Sequence, residues 1–436
     1  MCVIGIDGVP YTFLKEQFSK GRMKSFSEIE GELKQMSTVL PPISSVAWAS
    51  FQTGVNPAKH GIFGFIDRDP LTMDIKIPTQ NDLRARTIAE ILSDNGMRVI
   101  QMNVPCSYPP MKVNGILISC FLASNIEKGV YPKEYASLLK DMGYVIDVDP
   151  WKARQNRDSF LDDIFHALKK RIETALYLLE NEPWDFFMCH IMETDRFAHF
   201  FWEDFLDNKS MYGERGIELF ELISDFIRDV SERVGEDTEF IVLSDHGFCK
   251  LKKEVYINKG LSEAGFLSLS GPNAKSLKDI SPGAFAYSMI PGRFYVNLKG
   301  REKNGSVAAG DYDRVISDLT EYLTGLTDPE DGSPIIKQTF RKEQIYQGPL
   351  MEQAADMIAV PNDGYDLKGN FDAPSLFIKD IMQGMHTDWD ASLFIRGRII
   401  KKEKPVIYDV FATIMDMLLL NNNNYNSDGN SLVKLR

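Results

Sequence analysis

The chain has 436 residues, 44% of them hydrophobic and 25% charged, with a formal net charge of −13. That length exceeds a simple single core and fits one large α/β domain with insertions, or two domains. The acidic balance excludes a nucleic-acid polymer as the main partner, and an anionic substrate would need local cations such as metal ions to draw it in.

In chain order, Val3-Ile4-Gly5-Ile6 is a short apolar run that reads as a buried parallel strand with Asp7 at its carboxyl end. It leads straight into Asp7-Gly8 and leaves no signal peptide to expect. Helical patterns follow at 11–20 and 25–30, and 36–40 suits a strand stopped by Pro41-Pro42. A helix is predicted over Thr87–Asn95, closed by Gly96, with strands at Val99–Val104 and Gly115–Phe121. The stretch 128–151 is irregular and reads as a small insertion. Asp158–Glu180 is a long helix with apolar residues Phe160, Ile164, Leu168, Ile172 and Leu176 at a spacing of four.

Strand Asp185–Met192 runs into Glu193-Thr194-Asp195. Helix Ile217–Val234 precedes strand Thr238–Leu243, which ends in Ser244-Asp245-His246-Gly247. Beyond Lys250 the texture changes: 268–291 is rich in Gly, Ser and Pro and suits a loop or lid. Strand 293–298, helix 312–326 and strand 356–360 suggest a compact second lobe. The chain returns to the core with Gly384-Met385-His386, strand 391–395 and helix 406–420, and the polar tract Asn421–Asn424 reads as a loop.

The expected fold is therefore α/β, a doubly wound, mostly parallel sheet with a smaller α+β cap lobe inserted. The expected boundaries are 1–250 for the main core, 251–375 for the lobe and 376–436 for the return. Five dispersed cysteines without CxxC spacing, and no apolar run of membrane-span length, point to a reduced, cytoplasmic protein without a membrane partner.

Three predicted strands end in an acidic residue: Asp7, Asp195 and Asp245. Ligand sites in open α/β sheets lie at the carboxyl ends of strands, so the three could converge. Asp195 and His199 are four apart and share a face if a helical turn begins there. Asp245-His246 sits on a tight turn, and His386 follows in a loop. Mixed Asp and His ligation suits Zn²⁺ better than Mg²⁺. Alone, a strand-end Asp reads more readily as a turn former or helix cap and the Asp195/His199 pair as a solvated helix face, while Ser44 reads equally well as a helix N-cap. His60, His166 and His190 read as structural.

Together the motifs resemble the alkaline phosphatase superfamily. Asp7-Gly8, PPISSVAWASFQTGVNPAKHGI at 41–62, TDRFAHFFW, SDHGF and GMHTD occur in its order. The closest likeness is to the type I phosphodiesterase and nucleotide pyrophosphatase-like branch and its predicted phosphohydrolase/phosphomutase members.

The resemblance implies two divalent ions roughly 4 Å apart, zinc first with manganese as the alternative. One would be held by Asp7, Asp245, His246 and the nucleophile Ser44, the other by Asp195, His199 and His386. It implies a phosphoseryl intermediate on Ser44, formed from a small phosphomonoester or phosphodiester and then hydrolysed. A phosphomutase would use the same site, and a metal-binding regulatory protein with little turnover is the reading of another class. Pyrophosphatases of the branch carry an oxygen-binding Asn where this chain has Phe65, which argues against a nucleotide pyrophosphatase. Lys59 and Arg196 are the cations near the motifs that could bind phosphate instead. Specificity would be set by the 251–375 lobe; neither the substrate nor the oligomeric state is legible in the sequence.

Overall fold

A computed structural model describes residues 1–207, 210–271, 273–420 and 425–434. The tract Asn421–Asn424 lies outside the described residues. The chain divides into two compact units: Met1–Asn56, Thr79–Phe248 and His386–Arg436 form the first, and Pro57–Pro78 with Cys249–Met385 the second.

The first unit is built on an eight-stranded sheet in the order Gly31–Met36, Ala391–Arg396, Phe240–Leu243, Cys2–Ile6, Phe186–Ile191, Val99–Met102, Gly115–Ile118, Val130–Tyr131. The five strands from Phe240–Leu243 to Gly115–Ile118 run parallel. Ala391–Arg396, Gly31–Met36 and Val130–Tyr131 add antiparallel edges. Cys2–Ile6 is buried at every position, as a central parallel strand covered on both faces requires. The doubly wound α/β fold expected from the sequence is the fold observed.

Several elements differ from expectation. The early strand is Gly31–Met36, not 36–40, because its partner is the late strand Ala391–Arg396 and not a sequence neighbour. The second early helix is only Lys24–Ser27. The stretch read as an insertion at 128–151 supplies the edge strand Val130–Tyr131 and the helix Tyr135–Asp141. Helix Arg157–Asn181 is capped by Asn156, whose side chain accepts from the Ser159 N–H. Its buried stripe starts at Phe160 and Ile164 but moves to Arg171, Ala175 and Leu178, leaving Ile172 and Leu176 half-buried. A spacing of four overshoots a full helical turn by about 40°, so it drifts off the buried face.

The second unit holds a four-stranded antiparallel sheet ordered Ala286–Met289, Arg293–Val296, Met357–Pro361, Ile336–Arg341. Helix Tyr312–Thr324 buries Val315, Ile316, Leu319 and Leu323. The Gly/Ser/Pro-rich 268–291 is therefore not loop throughout, since it ends in the sheet strand Ala286–Met289. Pro57–Pro78, placed with the main core by the sequence, packs with this unit. Arg68 Nη2 lies 2.7 Å from Glu302 Oε1, Arg293 Nη2 donates to the Ile66 carbonyl at 2.6 Å, and Ala58 and Phe63 share a core with Tyr346 and Ala354.

Candidate metal centre and nucleophile

The three central parallel strands of the first unit deliver the acidic residues. Asp7 follows Cys2–Ile6, Asp245 and His246 follow Phe240–Leu243, and Asp195 lies in helix Glu193–Leu206, which follows Phe186–Ile191. Thr194 Oγ1 donates to the Asp7 carbonyl at 2.6 Å, fixing the start of that helix against the end of the neighbouring strand. Asp195 and His199 do share a helix face, with His199 Nε2 3.4 Å from Asp195 Oδ1. His386 is on the short strand Gly384–Thr387 and half-buried, where the sequence suggested an exposed loop.

Ser44 is the first residue of helix Ser44–Thr53, not its cap; the cap is Ile43, whose apolar side chain makes no capping hydrogen bond. All ten residues of this helix are buried. With no capping duty, the Ser44 hydroxyl lies 3.2 Å from Asp7 Oδ1 and 3.2 Å from His246 Nε2. Ser45 Oγ is buried and makes no hydrogen bond among the described residues.

Asp7, Asp245 and His246 offer donor atoms that all lie within 4.8 Å of one another, and so do Asp195, His246 and His386. His199 Nε2 is 3.0 Å from His386 Nε2, and the His246 and His386 rings stack with centroids 3.7 Å apart. His386 Nδ1 faces the Pro42 carbonyl at 2.9 Å and His246 Nδ1 faces the Gly247 carbonyl at 3.1 Å. A backbone carbonyl at Nδ1 assigns the proton there and leaves Nε2 as a lone-pair donor, the tautomer in which imidazole ligates a metal.

The donor set fits divalent cations on a second count. Asp245 Oδ2 is buried and makes no hydrogen bond among the described residues, although His246 Nε2 is only 3.3 Å away. Two ligands aimed at a common centre give such a contact, and an orphaned buried carboxylate oxygen is otherwise costly. Burial and the charge of Asp7 push the Asp245 carboxyl well up. Burial also raises Asp195, but His199 and His386 outweigh it and hold that carboxyl well below the usual range. Burial, with His386 beside it, drives His246 down to about 3, so its ring is neutral.

Arg196 is committed within the protein. Its Nη2 donates to Asp147 Oδ2 at 2.6 Å, its Nε to Asp147 Oδ1 at 3.2 Å, and its Nη1 to Asp195 Oδ2 at 3.3 Å. These bonds make it a brace for Asp195. Lys59 and Phe65 belong to the second unit, and both are half-buried. Of the three histidines read as structural, His166 is exposed and His60 Nδ1 accepts from the Ile62 N–H. His190 is different, being fully buried with Nε2 2.8 Å from Asp7 Oδ2. A histidine inside the apolar run Phe186-Phe187-Met188-Cys189-His190-Ile191 was the available signal. The buried pair Arg171–Glu193 at the start of the Asp195 helix was also missed, as Arg171 sits on a helix 22 residues upstream.

Fold and donor set together place the chain among enzymes that hydrolyse phosphoric esters. The family model for type I phosphodiesterase / nucleotide pyrophosphatase matches residues 1–389, and the chain belongs to that family. A search of curated protein sequences returns no significant match. Among solved structures, the chain is similar to phosphonoacetate hydrolase from Sinorhizobium meliloti 1021 in complex with phosphonoformate. That match has a TM-score of 0.62 at 16% identity, covering 94% of this chain and 93% of the other. It is also similar to murine ectonucleotide pyrophosphatase/phosphodiesterase 5, with a TM-score of 0.57 at 14% identity and all of both chains covered. The human counterpart gives 0.59 at 13% identity. No helix among the described residues is long and apolar enough to cross a membrane.

Proposed function

We propose that this enzyme hydrolyses a small phosphate ester with Ser44 as nucleophile. Its two divalent cations would be held by Asp7, Asp245, His246 and the Ser44 oxygen, and by Asp195, His199 and His386. The observation that carries this reading is the position of Ser44 Oγ, 3.2 Å from both Asp7 Oδ1 and His246 Nε2, among seven converging donor residues. Imidazole and carboxylate donors together favour zinc, with manganese as the alternative. Cations bound there would supply charge neutralisation at the phosphoryl oxygens and the leaving oxygen.

The residues themselves account for the rest. Ser44 opens a ten-residue helix, so its oxygen sits at the positive end of the helix dipole, which favours the ionised form. Asp7 and His246 orient that oxygen; as both are committed to holding a cation, its proton would pass to solvent water. Attack on phosphorus makes the Ser44 O–P bond and breaks the bond to the departing alcohol. Water then cleaves the phosphoseryl ester, releasing phosphate or a phosphomonoester and restoring the hydroxyl. Arg196 braces Asp195 throughout. If a hydroxyl of the same substrate replaces water, the product is a phosphate isomer instead.

The test is a panel of p-nitrophenyl phosphate, its bis-ester, a sugar phosphate, a dinucleotide and phosphonoacetate, assayed with Zn²⁺ and Mn²⁺ separately. The last two enter because of the family's name and the Sinorhizobium meliloti enzyme. Wild-type turnover of at least one ester is expected, and Ser44→Ala should reduce it about a thousandfold or more at unchanged metal content. Ser45→Ala should stay within about tenfold of wild type. If Ser45→Ala is the inactive variant, the nucleophile is misassigned; a chain fully active without metal would refute the mechanism.

A further inference from the structure

Asp7 presents its two oxygens to different surroundings. Oδ1 faces Ser44 Oγ at 3.2 Å and His246 Nε2 at 3.6 Å. Oδ2 points the other way, where Trp48 Nε1 donates to it at 3.0 Å and His190 Nε2 lies 2.8 Å away. Asp7, Trp48 and His190 are each fully buried, so bulk solvent does not reach that second oxygen. His190 is itself fixed, because both its ring nitrogens face acceptor oxygens, Nδ1 the Asn103 carbonyl at 3.0 Å and Nε2 Asp7 Oδ2. Unlike His246 and His386, it therefore turns an N–H and not a lone pair toward the carboxylate.

The two holders form one packed unit. The Trp48 and His190 rings meet edge to face with centroids 4.7 Å apart. Gly5, the register partner of His190 on the adjacent strand, makes room for them. A Cβ at Gly5 would come within 2.7 Å of the Trp48 ring and 3.1 Å of the His190 ring. Two separated side chains thus converge on one carboxylate oxygen, the tryptophan four after Ser44 and a histidine inside an apolar strand, in space left by the glycine two residues before Asp7.

We infer that His190, together with Trp48, is a positioning residue that locks the Asp7 carboxylate so that only Oδ1 is presented to a bound cation. This rests on the reading of Asp7 as a ligand. With Oδ2 saturated by two partners, the carboxylate cannot turn about its Cβ–Cγ bond to chelate through both oxygens. Oδ1 therefore keeps its place beside the Ser44 hydroxyl. Partners of this kind around metal-binding groups tune affinity and orientation.

His190→Phe keeps a ring against Trp48 and Gly5 but removes the contact to Oδ2, whereas His190→Gln offers an amide N–H in its place. Zn²⁺ affinity of the purified full chain is measured by competition with a chromophoric chelator, beside kcat and KM on the best ester. His190→Phe should bind one of two Zn²⁺ equivalents about 10–100-fold more weakly. Its kcat should fall with KM within about twofold, and His190→Gln should recover most of both losses. A purely structural role would lower thermal stability and leave Zn²⁺ affinity alone.

Wild-type Zn²⁺ affinity and kcat in His190→Phe would overturn the inference while leaving the metal centre standing. A wild-type chain that takes up no Zn²⁺ would remove both. If His190→Phe does not fold, Trp48→Phe carries the same test: it deletes the other contact to Oδ2 and should weaken Zn²⁺ binding about 3–10-fold. Unaltered affinity in Trp48→Phe overturns the inference equally.

Discussion

At the scale of single residues, the centre shows opposing effects of burial on neighbouring groups. Burial would lower His386, but its hydrogen bond and charge contact with Asp195 win, and the ring is held above its ordinary value. At His246, burial and the neighbouring His386 outweigh the charges of Asp7 and Asp195, and the ring falls from 6.5 to about 3. A ligating imidazole must be neutral, so a proton competes with the cation at His386 and not at His246. Metal retention should therefore fall as pH drops through the histidine range. The check is metal content after dialysis at about pH 5.5 and about pH 8; equal retention at both would contradict it. In the metal-free protein the sign at His246 follows from linkage. Its folded value lies below the unfolded one, so the folded state binds fewer protons between about 3 and 6.5, and stability contributed there is lost as pH falls through that window.

At the scale of elements, helix Ser44–Thr53 is held at its far end as well as at Ser44. Gly54 terminates it with φ of 71°, and a Cβ there would lie 2.4 Å from Phe411 in helix Ile407–Met417. The Gly54 carbonyl accepts from the Asp428 N–H at 2.8 Å and from Ser427 Oγ at 3.0 Å, so the C-terminal segment clasps this turn. Gly54→Ala combines a left-handed backbone with a steric clash and should destabilise the protein by about 1–3 kcal/mol. The measurement is the thermal midpoint beside wild type; an unchanged midpoint would mean that the turn relaxes freely. Because this helix starts at Ser44, residual activity in Gly54→Ala should fall along with stability.

At the scale of the whole molecule, the seven candidate metal and nucleophile residues all belong to the first compact unit, while Lys59 and the lobe sheets belong to the second. Cations that bind only the folded first unit stabilise that unit alone. Calorimetry with and without Zn²⁺ should move one transition upward, by the equivalent of about 2.7 kcal/mol at a hundredfold excess over Kd. Chelation should reverse the shift and abolish turnover. A Zn²⁺-induced rise confined to the other transition would contradict the ligand assignment.

Sequence alone determined the order of the strands that carry Asp7, Asp195 and Asp245, since buried parallel strands are continuous apolar runs ending in polar turns. It also supplied the motif order that marks the family, and the Asp195/His199 pair, whose spacing is a local property of one helix. Only the tertiary structure decided what depends on distant chain segments meeting. Gly31–Met36 is a strand because Ala391–Arg396 lies beside it, and Pro57–Pro78 belongs to the second unit because Arg293 and Tyr346 reach it. Arg196 proved to be bonded to Asp147, 49 residues away. His190, unremarkable in its apolar run, became a holder of Asp7 because a glycine on the neighbouring strand left room for it. Periodicity reports which face of an element is buried, but which atom a buried polar group meets is set by packing between elements far apart in the chain.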